Sequence, residues 1–395
     1  MPLDVTILEQ LAWPVTVMAA WLAGELGHRW TGLPRISLYG LVGFLLASPQ
    51  VGVLPARHSD VMLLLADIAF GLILFELGYR INLRWLRCNP WIAVMGLVES
   101  LITFIAVAAL ALWWGQPATT ALLLAALAMS TSPAAVLRVV NEQRCTGQVT
   151  ERVMHLSALN CVLSVLVFKV IVGWVVLETS GNVWQALSSS VLVLVLSAGL
   201  GALAGLAMPW VLRASDRSRP DATVVFAIMV VLLVAVVHAL RLSPVLATLT
   251  FGLLARHRRL VLSQAQRNFG PLGDLLAIVL FVFIAATLEW SKVAAGLGLG
   301  LALVLVRACT KTLGVAAFSR VSGVSWRKGL LSGLAMTPIS VFVILVLEQT
   351  RFLGVDLVDQ LAPLGAATLL LDIFGPVLTQ RALVWAGEAH PEEGR

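Results

Sequence analysis

The sequence contains thirteen apolar stretches, most of them about 20 residues long, separated by short polar segments. An α-helix rises about 1.5 Å per residue, so about 20 apolar residues cross the roughly 30 Å hydrocarbon core of a bilayer. The chain is therefore predicted to be an all-α polytopic membrane protein, in which the short stretch 243–255 is the least certain span. The predicted spans are 11–27, 36–53, 60–79, 91–114, 119–137, 153–177, 184–212, 222–240, 243–255, 269–288, 293–318, 329–347 and 358–380.

The composition supports this class and argues against others. Of the 395 residues, 59% are hydrophobic and 12% are charged, whereas a soluble domain has about 25% charged residues. The mean hydropathy of +0.94 excludes a disordered chain and argues against an ordinary soluble enzyme. The isoelectric point of about 9.6 would fit a nucleic-acid partner, but the placement of the basic residues gives it a membrane explanation instead, so no nucleic acid is expected.

The 27 lysine and arginine residues are distributed asymmetrically across the predicted membrane. Twenty lie in alternate loops or after the last span, four lie in the opposite loops, and Lys169, Arg307 and Lys311 lie inside spans. Basic residues are in excess on the cytoplasmic side. The N-terminus is therefore predicted to lie outside and the C-terminus in the cytoplasm, in the inner membrane of a bacterium. No lysine or arginine precedes Arg29, so the first span is not expected to be a cleaved signal peptide.

The sequence lacks the motifs that would indicate an enzyme or a resident cofactor. It has no His-Glu-x-x-His, no Gly-x-Ser-x-Gly and no phosphate-binding loop. Its four cysteines show no metal-type spacing, and two of them lie in predicted cytoplasmic loops, where structural disulfides are not expected. His155 and His238 have no partner at ligand spacing. We therefore expect neither catalysis nor a bound cofactor or metal.

Thirteen spans divide into six, one and six, so the second six are inverted relative to the first, as in many secondary transporters. The fifth span of each half contains a proline after small hydroxyl residues, at Thr131-Ser132-Pro133 and at Thr337-Pro338. Proline removes a backbone donor and breaks or kinks a helix, and the freed backbone groups can coordinate an ion. The matched pair predicts two crossed broken helices, and two ordinary proline kinks are the alternative.

Several polar side chains share one depth in the predicted membrane, in spans four to six and eleven to thirteen. Counted from the cytoplasmic edge, they lie roughly 10–17 Å deep. An ionisable group there costs at least about 2.5–3.5 kcal/mol, which predicts an ion site. The alternative is a set of salt bridges that lock helices together. The ionisable or amide residues at this depth are Glu99, Asn160, Arg307, Lys311 and Asp372.

Four segments give the sequence a resemblance to a known family. They are Thr31–Pro34 leading into Tyr39–Gly43, Leu74–Leu83, Thr131–Pro133 followed by Val136–Arg138, and the basic pair Arg307 and Lys311. In their order and spacing they resemble the monovalent cation:proton antiporter superfamily, the sodium/proton exchanger transmembrane domain. The resemblance covers nearly the whole chain.

The resemblance implies one exchanger domain over residues 1–395, in which a monovalent cation (Na⁺ or K⁺) and a proton compete for an acidic site. It further implies an elevator mechanism and a homodimer in the lipid bilayer. The implied parts are a core bundle (91–177 and 293–380), a dimerisation or scaffold bundle (11–80 and 222–288) and a linking helix (184–212). The implied ion-binding residues are Thr131, Ser132, Asn160, Cys161, Thr337, Asp372 and Glu99, with Arg307 and Lys311 compensating charge and Pro133 and Pro338 breaking the helices.

The sequence departs from the family at two positions. The family usually has an acid directly after the asparagine of span six, where this chain has Cys161, and Ile339-Ser340-Val341 replaces a common Arg-Gly-Glu. This makes the chain an atypical member and leaves three explanations open. Asp372 or Glu99, paired with Lys311 or Arg307, supplies the missing acid; or Cys161 ionises beside a helix N-terminus and a cation; or exchange is lost and the protein is a sensor or carries another solute.

Overall fold

The computed structural model of the protein describes residues 5–47, 50–54, 60–176, 183–214, 222–258, 269–340, 343, 345 and 362–390. Every regular element in these residues is a helix, which confirms the predicted all-α class. The helices are α1 Val5–Thr31, α2 Arg35–Leu46, α3 Asp60–Arg80, α4 Leu83–Cys88, α5 Trp91–Trp113, α6 Ala118–Ala128, α7 Pro133–Glu142, α8 Gln148–Val176, α9 Val183–Ala214, α10 Ala222–Ala239, α11 Pro244–His257, α12 Gly270–Ala286, α13 Trp290–Ala317, α14 Trp326–Ala335 and α15 Ala362–Trp385.

Seven helical stretches in the described part of the chain are long and apolar enough to cross a membrane. Three further apolar helices are shorter. The count of thirteen spans stays a prediction, because much of 329–347 and the start of 358–380 lie outside the described residues. The seven stretches are Met62–Arg80, Trp91–Trp113, Ala118–Glu142, Gln148–Trp174, Ser190–Arg213, Val293–Ala317 and Pro363–Trp385.

The short helix α4 was not among the predicted elements. Its first turn is capped by Asn82, whose side-chain oxygen accepts hydrogen bonds from the backbone N–H groups of Arg84 at 3.1 Å and Trp85 at 3.2 Å. An asparagine in this position satisfies N–H groups that have no partner within the helix. Because α4 has only six residues and lies between two spans, a search for long apolar stretches does not detect it.

One group of helices packs around α3 and α11. Gly78 of α3 faces the carbonyl oxygen of Leu249, and Gly252 of α11 faces that of Phe75, with no room for a Cβ atom at either glycine. Such small residues let two helix backbones approach closely, which replaces the hydrophobic driving force that is absent within lipid. Helices α9 and α10 pack against α11, while α1 and α2 pack together with α12.

A second group of helices packs around α13. Helices α5, α14 and α15 contact α13, α6 contacts α5, and α8 contacts both α5 and α6. Gly333 of α14 faces Thr312 of α13 with no space for a Cβ atom. The two groups coincide in sequence with the core and scaffold bundles implied by the resemblance. That division stays a prediction, because contacts within one conformation do not show which helices move.

Candidate ion-binding site

The first proline interrupts the helical path between α6 and α7. Helix α6 ends at Ala128 and α7 begins at Pro133, so residues 129–132 are not helical. Ser132 caps α7, because its Oγ atom accepts a hydrogen bond from the backbone N–H of Ala135 at 3.2 Å. A serine cap followed by proline is a strong helix start, since proline lacks the N–H group that would otherwise be unsatisfied. Local sequence thus places the break.

The second interruption follows α14. This helix ends at Ala335, and residues 336–340 are not helical. The Thr337 hydroxyl donates a hydrogen bond back to the carbonyl oxygen of Leu334. Beyond Ser340 the described residues are Val343 and Leu345 before α15 begins.

The two non-helical stretches contact each other directly. The backbone N–H of Ser132 donates to the carbonyl oxygen of Pro338 at 3.0 Å, and the Thr131 hydroxyl lies 3.4 Å from the carbonyl oxygen of Met336. The backbone N–H of Ser340 lies 3.4 Å from Ser130 Oγ. Polar backbone therefore meets polar backbone in the middle of an apolar bundle, in an arrangement that membranes tolerate only where the irregular backbone is buried in protein.

Arg307 of α13 occupies the crossing. Its side chain is 1% exposed, and its guanidinium donates to five backbone carbonyl oxygens. Carbonyls at helix C-termini carry partial negative charge, which a cation stabilises. The carbonyls freed by the two breaks are thus already bound to a permanent cation, which is not what the breaks alone predict. The five acceptors are the carbonyl oxygens of Ala128, Ser130, Met336, Thr337 and Pro338.

Lys311, one turn after Arg307, forms an ion pair with Glu99 of α5. Lys311 Nζ lies 2.7 Å from Glu99 Oε1 and 2.8 Å from the carbonyl oxygen of Met129, and both charged side chains are fully buried. Glu99 also accepts hydrogen bonds from Asn160 Nδ2 at 3.0 Å and from the Thr103 hydroxyl at 3.2 Å. A buried ion pair is tolerated when further hydrogen bonds satisfy both ions, as they do here.

Asn160 and Cys161 of α8 face the same crossing. Asn160 Oδ1 accepts from the Ser100 hydroxyl at 2.9 Å, and its Nδ2 atom also lies 3.3 Å from Thr131 Oγ1. Cys161 Sγ lies 3.2 Å from the carbonyl oxygen of Thr131 and 3.5 Å from Ser340 Oγ. Only a protonated thiol can donate to that carbonyl, so the contact favours the neutral form of Cys161 over an ionised one.

Asp372 is separate from this network. Within the described residues, its carboxylate forms no hydrogen bond and no ion pair with Lys311 or Arg307. The other expected site residues are joined by the contacts above, directly or through the backbone. No group of three or more His, Cys, Asp or Glu side chains in the described part of the chain is arranged to hold a metal ion.

Four hydroxyl residues of the network were not singled out from the sequence. Ser100 and Thr103 lie one and four residues after Glu99 on α5, and Ser130 and Ser340 flank the two breaks. The available signal was a hydroxyl within one helical turn of a buried charge or of a helix-breaking proline, since buried charges need such donors.

Comparison with known proteins identifies the family. The family model described as "Sodium/hydrogen exchanger, transmembrane" matches residues 15–381. The chain belongs to the sodium/hydrogen exchanger family. Membership confirms the resemblance seen in the sequence and makes the protein an integral membrane transporter of cations and protons, not an enzyme. No curated protein matches the sequence.

Solved structures show that the family assignment agrees with the fold. The structure of the sodium proton antiporter MjNhaP1 from Methanocaldococcus jannaschii at pH 8 is similar to this chain with a TM-score of 0.65 and 18% identity, covering 96% of this chain and 97% of that one. An electron-microscopy structure of the same antiporter gives a TM-score of 0.68 at 18% identity, covering 98% and 97%. At this identity the similarity establishes the exchanger fold alone.

Proposed function

We propose that this exchanger moves a monovalent cation, Na⁺ or K⁺, against protons through the crossing of its two broken helices. The observation that carries the proposal is the position of Arg307, which binds carbonyl oxygens from both non-helical stretches. A permanent charge fixed between two helix ends makes the site mechanically one unit. Buried charges in a membrane are costly and mark ion pathways by default.

Exchange requires one carboxylate for which the cation and the proton compete. When the carboxylate binds the cation it cannot hold the proton, so each ion leaves the site as the other arrives. Glu99 and Asp372 are the buried acids among the proposed site residues. A cation at Glu99 would have to displace the ammonium of Lys311 at 2.7 Å, whereas a cation at Asp372 would displace only a proton. Thr131, Ser132, Asn160, Cys161 and Thr337 are proposed to shape the crossing, with Pro133 and Pro338 keeping its backbone non-helical.

We further propose that the core bundle moves relative to the scaffold in an elevator cycle. Three polar residues near the end of α7 contact the scaffold helices: Arg138 pairs with Asp274, Asn141 Nδ2 donates to Glu76 at 2.9 Å, and Glu142 lies 3.1 Å from His28. A cavity of about 850 Å³ adjoins these contacts. A polar and loosely filled interface supports sliding, since polar contacts can exchange for water while a packed apolar seam cannot.

The scaffold is proposed to form the homodimer, with the N-terminus outside and the C-terminus in the cytoplasm of a bacterial inner membrane. Reconstitution tests the transport proposal. Proteoliposomes with an acidic interior should accumulate radioactive Na⁺ or K⁺, and a protonophore combined with a K⁺-independent clamp of the voltage should abolish the uptake. Uptake that ignores the proton gradient would contradict proton coupling.

A further inference from the structure

Two buried polar side chains on α15 have no partner in the described part of the chain. Asp372 is 6% exposed, and its carboxylate forms neither a hydrogen bond nor an ion pair there. The Thr368 hydroxyl, one turn earlier, is buried and also unpartnered. We propose that the Asp372 carboxylate and the Thr368 hydroxyl together form the site where cation and proton compete. This inference rests on the proposed exchange function and names the groups that perform it.

The two residues lie on the face of α15 that packs against the second break. Residues 368, 372, 375 and 379 are four, three and four apart and share one helix face. The Thr379 hydroxyl donates to the carbonyl oxygen of Ala335 at 2.9 Å, and a Cβ atom at Gly375 would lie 2.8 Å from Pro338 Cα. This register runs antiparallel to α14. Extending it by one turn places Asp372 just past Ser340, which contacts Cys161.

The direction of α15 relative to α13 follows from their shared neighbour. Gly333 of α14 faces Thr312 of α13, while Gly329 faces Ser319, so α13 is also antiparallel to α14. Helices α13 and α15 are therefore parallel. Residues at equal distances from a common contact lie at equal depth along the two helices.

That common contact is Gly300 of α13, where an added Cβ atom would lie 2.8 Å from Ala366 of α15. Arg307 is seven residues further along α13 and Asp372 six residues further along α15, which is about 9–11 Å in each case. Asp372 therefore lies level with Arg307 and the crossing. It does not pair with Arg307, whose donors are held by carbonyls, or with Lys311, which is held by Glu99.

Other charged groups on the helices around α15 also have partners elsewhere. Helix α15 packs against α2, α7, α13 and α14. No base in the described residues is therefore left to neutralise the carboxylate. The remaining charged groups on those helices that have printed partners are Arg35 with Glu25 and Glu142, Arg138 with Asp274, Glu142 with His28, Arg327 with the carbonyl oxygen of Trp385, and Lys328 with Glu388.

An isolated carboxylate cannot stay charged at this depth, because burying an unpaired ion costs far more than a folded protein can offset. The carboxyl group is therefore neutral with its proton or neutralised by a bound cation. Binding transfers one proton out as one cation enters, so the charge of the site does not change. The carboxylate and the hydroxyl supply oxygen atoms, which are the ligands that hard metal cations prefer.

The position of the acid also accounts for Cys161. Helix α8 follows the first break in the chain and α15 follows the second. Where the family resemblance implies an acid on α8, this chain has a thiol that donates to a backbone carbonyl. The structure places an unpaired acid on the other helix that follows a break. The ion-binding acid has thus moved from one half of the repeat to the other.

Carbodiimide labelling of the purified full-length protein tests the site directly. Dicyclohexylcarbodiimide adds to a protonated carboxyl group in an apolar environment, and mass spectrometry locates the modified residue. We expect modification of Asp372 without cations and slower modification when Na⁺ or K⁺ is added. Thr368→Val should weaken that protection about tenfold while leaving the labelling itself. Glu99, which is ion-paired, serves as the internal control and should stay unmodified.

Transport assays on the same preparation separate this inference from the exchange function. Asp372→Asn should abolish exchange while the variant keeps the thermal stability of the unaltered protein. If the unaltered protein exchanges ions and Asp372→Asn exchanges equally well, the inference is overturned and the function stands. If cations protect Asp372 but no flux occurs, the site stands and the exchange function is overturned. Labelling of Asp372 that no monovalent cation slows overturns the site.

Discussion

Lys311 Nζ lies 2.7 Å from Glu99 Oε1, and neither side chain has any exposed surface. The pair joins α13 to α5 in the middle of the predicted membrane. Removing one member leaves the other charged and without its partner, which typically costs about 3–5 kcal/mol. We expect Glu99→Gln and Lys311→Met each to lower the thermal stability of the detergent-solubilised protein strongly.

The double variant Glu99→Gln with Lys311→Met distinguishes a structural pair from an ion-binding acid. Replacing both members of a buried pair is often neutral for stability, so the double variant should recover most of what each single variant loses. Because the proposed acid is Asp372, the double variant should also retain exchange. A stable double variant without exchange would instead assign the transported proton to Glu99.

Arg307 is expected to be irreplaceable by lysine. A lysine ammonium has three donors on one atom, whereas the guanidinium spreads five donors over a plane and here contacts five carbonyl oxygens. Unsatisfied buried carbonyls cost about 1–3 kcal/mol each. Arg307→Lys should therefore lose several kcal/mol in unfolding measurements. The exposed Arg320→Lys is the matched control, and equal stability of the two variants would contradict the role given to Arg307.

The elevator proposal predicts that α7 must leave α1 during transport. His28 Nδ1 lies 3.1 Å from Glu142 Oε1, so cysteines at these two positions should be joined by a short thiol cross-linker in a background without the native cysteines. Cross-linking should stop exchange, and cleaving the linker should restore it. Full exchange by the cross-linked protein would show that α7 and α1 do not separate during the cycle.

The predicted orientation can be tested with the native cysteines. Cys88 is exposed at the end of α4, and Cys145 is buried in the turn between α7 and α8. Burial, together with the nearby Glu388 carboxylate, raises the pKa of the Cys145 thiol to about 12. At neutral pH it is therefore protonated and unreactive, because thiolate is the reactive form.

A membrane-impermeant maleimide should accordingly label Cys88 in everted vesicles and leave it unlabelled in right-side-out vesicles. Cys145 should stay unlabelled in both, with its reactivity rising only as the pH approaches its pKa. Cys88→Ser is the control for the site of labelling. Labelling of Cys88 in right-side-out vesicles alone would invert the predicted topology.

Sequence reasoning located the two breaks because a proline acts on its own helix. Pro133 and Pro338 remove local hydrogen bonds wherever the helix packs, so their effect can be predicted without knowledge of neighbouring helices. The same holds for the all-α class, which follows from apolar lengths. The count of thirteen spans is less secure, because several helices are shorter than a full membrane crossing.

The choice of partner for Lys311 could not be predicted. Glu99 and Asp372 were placed at nearly the same depth, but depth counted along a sequence does not give the rotation of one helix about its axis relative to another. The structure selects Glu99 and leaves Asp372 alone. The carbonyls bound by Arg307 were also beyond sequence reasoning, since backbone acceptors have no sequence signature.

Cation-driven proton flux in everted membrane vesicles tests the central claim most directly. Vesicles from a host lacking its own exchangers are acidified by respiration, and a pH-sensitive dye reports the interior. Addition of Na⁺ or K⁺ should dequench the dye as protons leave in exchange for the cation, and vesicles containing Asp372→Asn should give no response. Absence of dequenching with Na⁺, K⁺ and Li⁺ at neutral and alkaline pH, with the protein shown to be present and folded, would contradict exchange and favour a non-exchanging member of the fold.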